Sequence, residues 1–222
     1  MPIAKPKRRI RALVLDFDGV ILDTESALIG AAAEVHRAHG VPFDPDTLLH
    51  GAGTVFAFDP WAAFPPEVPR RRLRAEHELA CAAAFARLPL LPGVERWLDE
   101  AARLGLALGI ASNSTNAYIG DHLSRLGLRG KFHVVTGRDG VAHPKPAPDV
   151  YLRTVERLGV RPEEAIAVED SFTGATSARR AGLHVIGVPG PSTTGHDLSA
   201  AHHRVRSLAE LSVSDAIARF LR

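Results

Sequence analysis

The chain carries one cysteine, Cys81, among 222 residues. A single thiol excludes an intramolecular disulfide and a thiolate zinc cluster, and it fits a protein of a reducing cytoplasm. Long apolar runs are missing as well. No window approaches the roughly 18 consecutive apolar residues that read as a membrane span. The basic opening from Met1 to Arg9 is not followed by an apolar segment of signal-peptide length. A cytoplasmic protein without membrane attachment is the expectation. Nor is there an excess of one charge: the formal net charge is +2, which gives no argument for a nucleic-acid partner. The two basic clusters, Lys5 to Arg11 and Arg70 to Arg74, read as a solvated tail and a solvated helix face. No internal repeat is visible.

What is present describes an ordinary globular chain. Hydrophobic residues make up 45% and charged residues 23%, enough for one substantial core or a core with a smaller insertion. The organising stretch runs from Leu13 to Glu25. Leu13-Val14-Leu15 is an apolar, partly β-branched run of strand character, and it leads directly into Asp16 and Asp18, with Gly19 where the chain must turn. At the carboxyl end of a strand in an open α/β sheet, such residues face the crevice where ligands bind. Two ionised carboxylates this close repel each other, and burial makes the conflict worse. A hard cation such as Mg²⁺, which takes oxygen ligands and keeps sites for substrate phosphate oxygens, would remove it. From these residues alone, a turn or a helix cap remains the alternative.

The rest of the chain alternates. Ser26 to His39 is an alanine-rich helix closed by Gly40, and a second such helix covers Arg70 to Arg87. Between them, Val41 to Pro69 is broken by prolines into short pieces, and no strand signal occurs anywhere in this stretch from Ser26 to Arg87. Beyond it come helix Val94 to Leu104, strand Leu106 to Ala111, helix Asn116 to Leu126 and strand Phe132 to Val135. Helix Asp149 to Leu158, strand Ala165 to Val168, helix Gly174 to Ala181 and strand His184 to Val188 follow. Val205 to Leu208 is expected as a last strand and Ser214 to Leu221 as the final helix. Nearly continuous apolar strands between helices argue for a doubly wound parallel sheet. The fold class is therefore α/β, with residues 1–24 plus 89–222 as the core domain and 25–88 as an inserted small helical domain.

Three further polar groups follow predicted strands. Ser112 and Asn113 come after the run ending at Ala111, where free backbone N–H groups could cradle a phosphoryl group, although Ser and Asn are also ordinary helix caps. Lys145 lies between Pro144 and Pro146, which restrict where its ammonium points; a lysine exposed on a proline-rich loop is the alternative. Glu169, Asp170 and Ser171 end the strand at Val168, with Asp170 the better direct ion ligand and capping by Asp170 or Ser171 the alternative.

In that order, these residues resemble the four motifs of the haloacid dehalogenase superfamily: Asp16 to Glu25 the first, Ser112-Asn113 the second, Lys145 with its prolines the third, and Val168-Glu169-Asp170-Ser171 the fourth. The resemblance spans nearly the whole chain. The insertion after the first motif resembles the helical cap of the β-phosphoglucomutase-like phosphatases. It implies that Asp16 is the nucleophile and Asp18 the general acid/base, and that Ser112, Asn113 and Lys145 hold the transferring phosphoryl group, with Lys145 counted among the catalytic residues. It also implies that Asp16, the Asp18 backbone carbonyl and Asp170 bind Mg²⁺ with Glu169 joining them.

The activity implied is Mg²⁺-dependent hydrolysis of a small phosphorylated metabolite, a sugar phosphate first, through an aspartyl-phosphate. The expected assembly is a monomer or weak oligomer, without nucleic acid or membrane. A sugar-phosphate mutase is the nearest rival. The chain departs from that pattern, because His50 to Thr54 supplies no arginine, Thr115 replaces a lysine and Leu28 replaces a histidine. A receiver-like module phosphorylated on Asp16 is a rival of another class, disfavoured by the helical insertion. Phe56, Phe58, Trp61 and Phe64 could line a substrate pocket or fill a small helical core.

Overall fold

The computed structural model describes residues 9–45 and 59–221. Expectations resting on His50 to Thr54, Phe56 and Phe58 lie outside the described residues. Strand β1 (Ala12–Leu15) is buried throughout and sits at the centre of the sheet. On one side it pairs in parallel with β2 (Ala107–Ala111), which pairs with β3 (Val134–Thr136). On the other side it pairs in parallel with β4 (Ala165–Glu169), followed by β5 (His184–Gly187) and β6 (His203–Arg204). The order β3-β2-β1-β4-β5-β6 makes one six-stranded sheet. Connections after β1 and β4 leave toward opposite edges, so a crevice opens between the carboxyl ends of these two neighbours.

Both faces are covered, as the unbroken apolar strands require. Leu13 and Leu15 point to one face, where Trp97, Leu98, Ile119, Leu123 and Val213 pack from helices α3 (Val94–Arg103), α4 (Asn116–Arg125) and α7 (Val213–Phe220). Ala12 and Val14 point to the other, against Val150, Val155, Ala175 and Ala178 of α5 (Asp149–Leu158) and α6 (Phe172–Arg180). The strand period of two thus separates large residues from small ones across the sheet.

Between β1 and α3 the described residues include two further helices, α1 (Thr24–Ala38) and α2 (Arg70–Phe85), packed on each other. Asp23 starts α1, its Oδ1 accepting the Ser26 N–H at 3.2 Å. Ala32, Val35, Trp61, Phe64 and Leu73 form a separate small core there, so Trp61 and Phe64 are core residues and not pocket walls. The ring nitrogens of buried His36 lie 2.9 and 2.8 Å from the carbonyl oxygens of Pro42 and Pro60, tying loop to helix. Leu91 N–H donates to Ile21 O at 2.9 Å, joining the returning chain to the outgoing one.

The last strand departs from expectation. It is the two-residue β6 and not Val205 to Leu208, because Leu208 turns inward in a 3₁₀ turn, Leu208–Glu210, beneath α3. Trp97 Nε1–H donates to the carbonyls of Leu208 and Leu211 at 3.1 and 2.7 Å, which satisfies that backbone away from the sheet. Among the described residues, no helix is long and apolar enough to cross a membrane.

Candidate active site

Asp16 follows β1 directly and stays in the ladder, its N–H donating to Val168 O at 3.0 Å. The chain then turns: Ile21 N–H donates back to Phe17 O at 2.9 Å, and Gly19 adopts φ +75°. That position has no room for a side chain, since a Cβ there would lie 1.9 Å from Asp170 Oδ2. The tight turn leaves Asp16 aimed into the crevice, where its Oδ2 lies 2.9 Å from Lys145 Nζ.

Lys145 is buried and bridges two strands' worth of charge, donating to Glu169 Oε1 at 2.6 Å as well. Burial works against its ammonium, but Asp16 and Glu169 outweigh that and hold the lysine charged, above its ordinary pKa. Its loop is fixed by Asn113, whose Oδ1 accepts the Lys145 N–H at 2.9 Å and whose amide donates to Lys145 O at 3.4 Å. The Asn113 side chain thus ties the lysine's peptide to the loop after β2, in the lining of the cleft.

Glu169, the last residue of β4, is fully buried. Its Oε1 also accepts from the Tyr151 hydroxyl at 2.5 Å, while Oε2 has no hydrogen-bond partner. Asp170 Oδ2 accepts from Thr193 Oγ1 at 3.0 Å, and Thr193 Oγ1 in turn accepts the Gly190 N–H at 2.8 Å. Ser171, not Asp170, caps α6, its Oγ accepting Gly174 N–H at 3.2 Å, so Asp170 remains in the crevice.

Asp16, Glu169 and Asp170 each offer an oxygen within 4.8 Å of the others. Burial, then repulsion from Glu169, pushes the Asp16 carboxyl well above the carboxylate range, against the pull of Lys145. The same two causes raise Asp170 to about 8. Three buried carboxylates against one ammonium, with an orphaned Glu169 oxygen among them, form a set of hard oxygen donors short of positive charge. That donor set fits a divalent cation such as Mg²⁺.

Asp18 does not join this group through its carboxylate. Thr24 Oγ1 donates to its Oδ1 at 2.7 Å, and Ser114 Oγ and Ser112 Oγ donate to its Oδ2 at 2.7 and 3.2 Å. These three donors hold the Asp18 carboxylate apart from the cluster of Asp16, Glu169 and Asp170. Ser112 itself is fixed by the Ser114 N–H, donated to its Oγ at 2.9 Å. The cleft over these groups has a volume of about 410 Å³, and Leu28 of α1, Phe85 of α2 and Tyr118 of α4 form its apolar side.

Thr193 and His196, on the loop after β5, and Tyr151, inside α5, were not singled out by motif reading. The loop could have been flagged as the next segment at a strand's carboxyl end; Tyr151 carries no local signal.

The profile of the haloacid dehalogenase-like hydrolases matches residues 13–188. The chain is 33% identical to the protein CbbY of Rhodobacter capsulatus over 217 residues, covering 90% of this chain and 94% of that one. It is 31% identical to hexitol phosphatase B of Escherichia coli K12 over 219 residues, covering 95% and 98%. Among solved structures it resembles CbbY of Rhodobacter sphaeroides in complex with phosphate, with a TM-score of 0.75 and 29% identity over 93% of this chain and 98% of that one.

Proposed function

The chain belongs to the haloacid dehalogenase-like hydrolase family, and on that premise we propose that it is a Mg²⁺-dependent phosphatase of small phosphate monoesters, sugar or sugar-alcohol phosphates first. One relative is named for hexitol phosphates and another is seen with phosphate bound. The observation that carries the reading is the placement of Asp16 at the floor of the cleft, against Lys145 and beside Glu169 and Asp170, with Asp18 held separately by three hydroxyls.

Asp16 acts as nucleophile on phosphorus, in line with the leaving oxygen. Asp18 gives its proton to the departing alkoxide and then takes one from the water that hydrolyses the aspartyl-phosphate. The three hydroxyl donors fix the Asp18 carboxylate where both transfers occur. Lys145 sets its charge against the phosphoryl oxygens, and Asn113 holds the lysine loop in place. Ser112 and the backbone after β2 orient the phosphoryl group. Asp16, the Asp18 carbonyl, Glu169 and Asp170 would hold Mg²⁺, which would neutralise charge on the phosphoryl group. Residues 25–88 act as the cap, whose Leu28 and Phe85 cover the cleft and exclude bulk water.

Hydrolysis is favoured over mutase chemistry because Thr115, in place of the mutase lysine, is occupied as the cap of α4, accepting Tyr118 N–H at 3.3 Å. The test is continuous phosphate release from sugar phosphates and an aryl phosphate, with wild type, Asp16→Asn and a chelator. Sustained release that needs both Mg²⁺ and Asp16 is the expected result. Isomerisation of a sugar phosphate without release, or a single phosphorylation of Asp16 without turnover, would replace this reading.

A further inference from the structure

Tyr118 stands outside the four motif stretches, in the first turn of α4, and lines the cleft together with Asp18, Thr24 and Ser114. Thr115 Oγ1 accepts its N–H at 3.3 Å, which fixes the turn of helix that carries the ring. The ring itself is held on three sides. Phe17, between the two acids of the first motif, packs against it edge to face with centroids 6.1 Å apart. Phe85, the last residue of α2, does the same from the insertion at 6.0 Å, and His122, one turn further along α4, lies at 4.6 Å. Edge-to-face pairs at such spacings favour a definite geometry. A ring gripped from both the core and the insertion has one place for its hydroxyl.

That hydroxyl meets the side chain of Thr24. Thr24 is buried and opens α1, and its Oγ1 gives its proton to Asp18 Oδ1 at 2.7 Å. A hydroxyl has one proton to donate and two lone pairs with which to accept, so in this pair Tyr118 is the donor and Thr24 the acceptor. Burial, then the charge of Asp18, raises the Tyr118 phenol above its ordinary pKa, and it keeps its proton. The donors thus run in one direction, from Tyr118 to Thr24 to Asp18. Ser112 and Ser114, from the loop after β2, fix the other oxygen of the same carboxylate.

We infer that Tyr118 is a positioning residue for proton transfer: clamped between Phe17 and Phe85, it holds the Thr24 hydroxyl toward Asp18 and so keeps the Asp18 carboxyl directed at the leaving oxygen. The inference rests on the phosphatase reading for the role of Asp18. It adds a residue outside the motifs, and it makes the seating of Phe85 on the core a part of assembling the acid. Threonine in a helix divides between two χ1 rotamers, and the phenol selects the one that faces Asp18. The consequence depends on the leaving group. An alkoxide departing from a sugar phosphate needs a proton in the transition state, whereas a nitrophenolate departs without one, so only the first is sensitive to how Asp18 is placed.

The test is Tyr118→Phe, which keeps the ring and its aromatic contacts and removes the hydroxyl. kcat/KM is measured in Mg²⁺ with a hexose monophosphate and with p-nitrophenyl phosphate, because it reports phosphoryl transfer to Asp16 and not the later hydrolysis of the aspartyl-phosphate. General acid catalysis contributes about 10²–10⁴-fold, and loss of the acid's alignment should remove about tenfold of it from the sugar phosphate while the aryl ester stays within about twofold of wild type. An equal loss on both esters is the mark of a merely structural role and overturns the inference, as does no loss on either. Thr24→Val cuts the link, so adding Tyr118→Phe to it should lower sugar-phosphate turnover no further; additive losses overturn the route through Thr24. A crystal structure of Tyr118→Phe should show the Thr24 and Asp18 side chains in more than one orientation, and a single unchanged orientation of both overturns the inference. If the wild type released phosphate from no ester, the phosphatase reading would fall, and reorientation of Thr24 and Asp18 in that crystal structure would still uphold the positioning.

Discussion

At the floor of the cleft, one hydroxyl decides which way a carboxylate is turned. Thr193 Oγ1 takes the Gly190 N–H and gives its own proton to Asp170 Oδ2, leaving Oδ1 as the oxygen for an ion. Second partners of metal-binding carboxylates tune affinity, so Thr193→Val is expected to weaken Mg²⁺ binding by about tenfold. Thr193→Ser should restore it; a magnesium titration followed by calorimetry reads both. Gly174 is a second such point. A Cβ there would fall 1.8 Å from Glu169 Oε2, so Gly174→Ala must displace either the glutamate or the first turn of α6. We expect a loss of about 1–3 kcal/mol in urea unfolding, together with weaker Mg²⁺ binding. Lys145→Met should cost about 3–5 kcal/mol of stability, because it leaves Asp16 and Glu169 buried without their cation. Added Mg²⁺ should recover part of that loss in the same melts.

At the level of elements, the sheet edge carries its own titration. His202 precedes β6, and its Nδ1 accepts the Val185 N–H of β5 at 2.9 Å. Burial first, then the charge of Arg179, lowers its pKa to about 4. The folded state therefore prefers the neutral ring that can accept this bond. The stabilisation is complete above the ordinary histidine value near 6.5 and is lost as pH falls through about 4. Urea midpoints measured from pH 7 to 4 should fall in wild type and fall less steeply in His202→Gln. A parallel slope in the two proteins would remove His202 from that account. The same edge shows how an element can be misplaced by pattern alone. Val205 to Leu208 has strand composition, but the carbonyl of Leu208 is taken by Trp97 Nε1 and by Arg96, so the segment serves the helix layer.

For the molecule as a whole, three buried carboxylates at the centre of the sheet that could hold an ion predict that metal and stability are interdependent. A cation that binds the folded chain alone, at 100 times its dissociation constant, stabilises by about 2.7 kcal/mol. For a domain of this length that is a rise of roughly 5–10 °C in Tm. Calorimetric melts with Mg²⁺ and with chelator should differ by that amount. Asp170→Asn, which removes one of the three carboxylates, should melt higher than wild type in chelator and gain less from Mg²⁺. The strand order gives the reason for this placement: Asp16 directly follows β1 and Glu169 ends β4, and these strands are neighbours although more than half the chain lies between them.

Much of this was determined by sequence alone. Strand and helix periods, glycine stops and the residue types at strand ends are local signals, decided within a few residues, and they located Asp16, Ser112, Lys145, Glu169 and Asp170 as well as the parallel sheet and the helical insertion. The partners of those residues were decided by the tertiary structure. Tyr151 meets Glu169 across 18 residues, Thr193 meets Asp170 across 23, and Ser192 meets Glu25 across 167. No periodicity encodes such pairs, because they depend on how helices and loops pack onto the sheet. For the same reason only packing could separate the two acids of the first motif, sending the Asp16 carboxylate to Lys145 and the buried acids, and that of Asp18 to the hydroxyls of Thr24, Ser112 and Ser114.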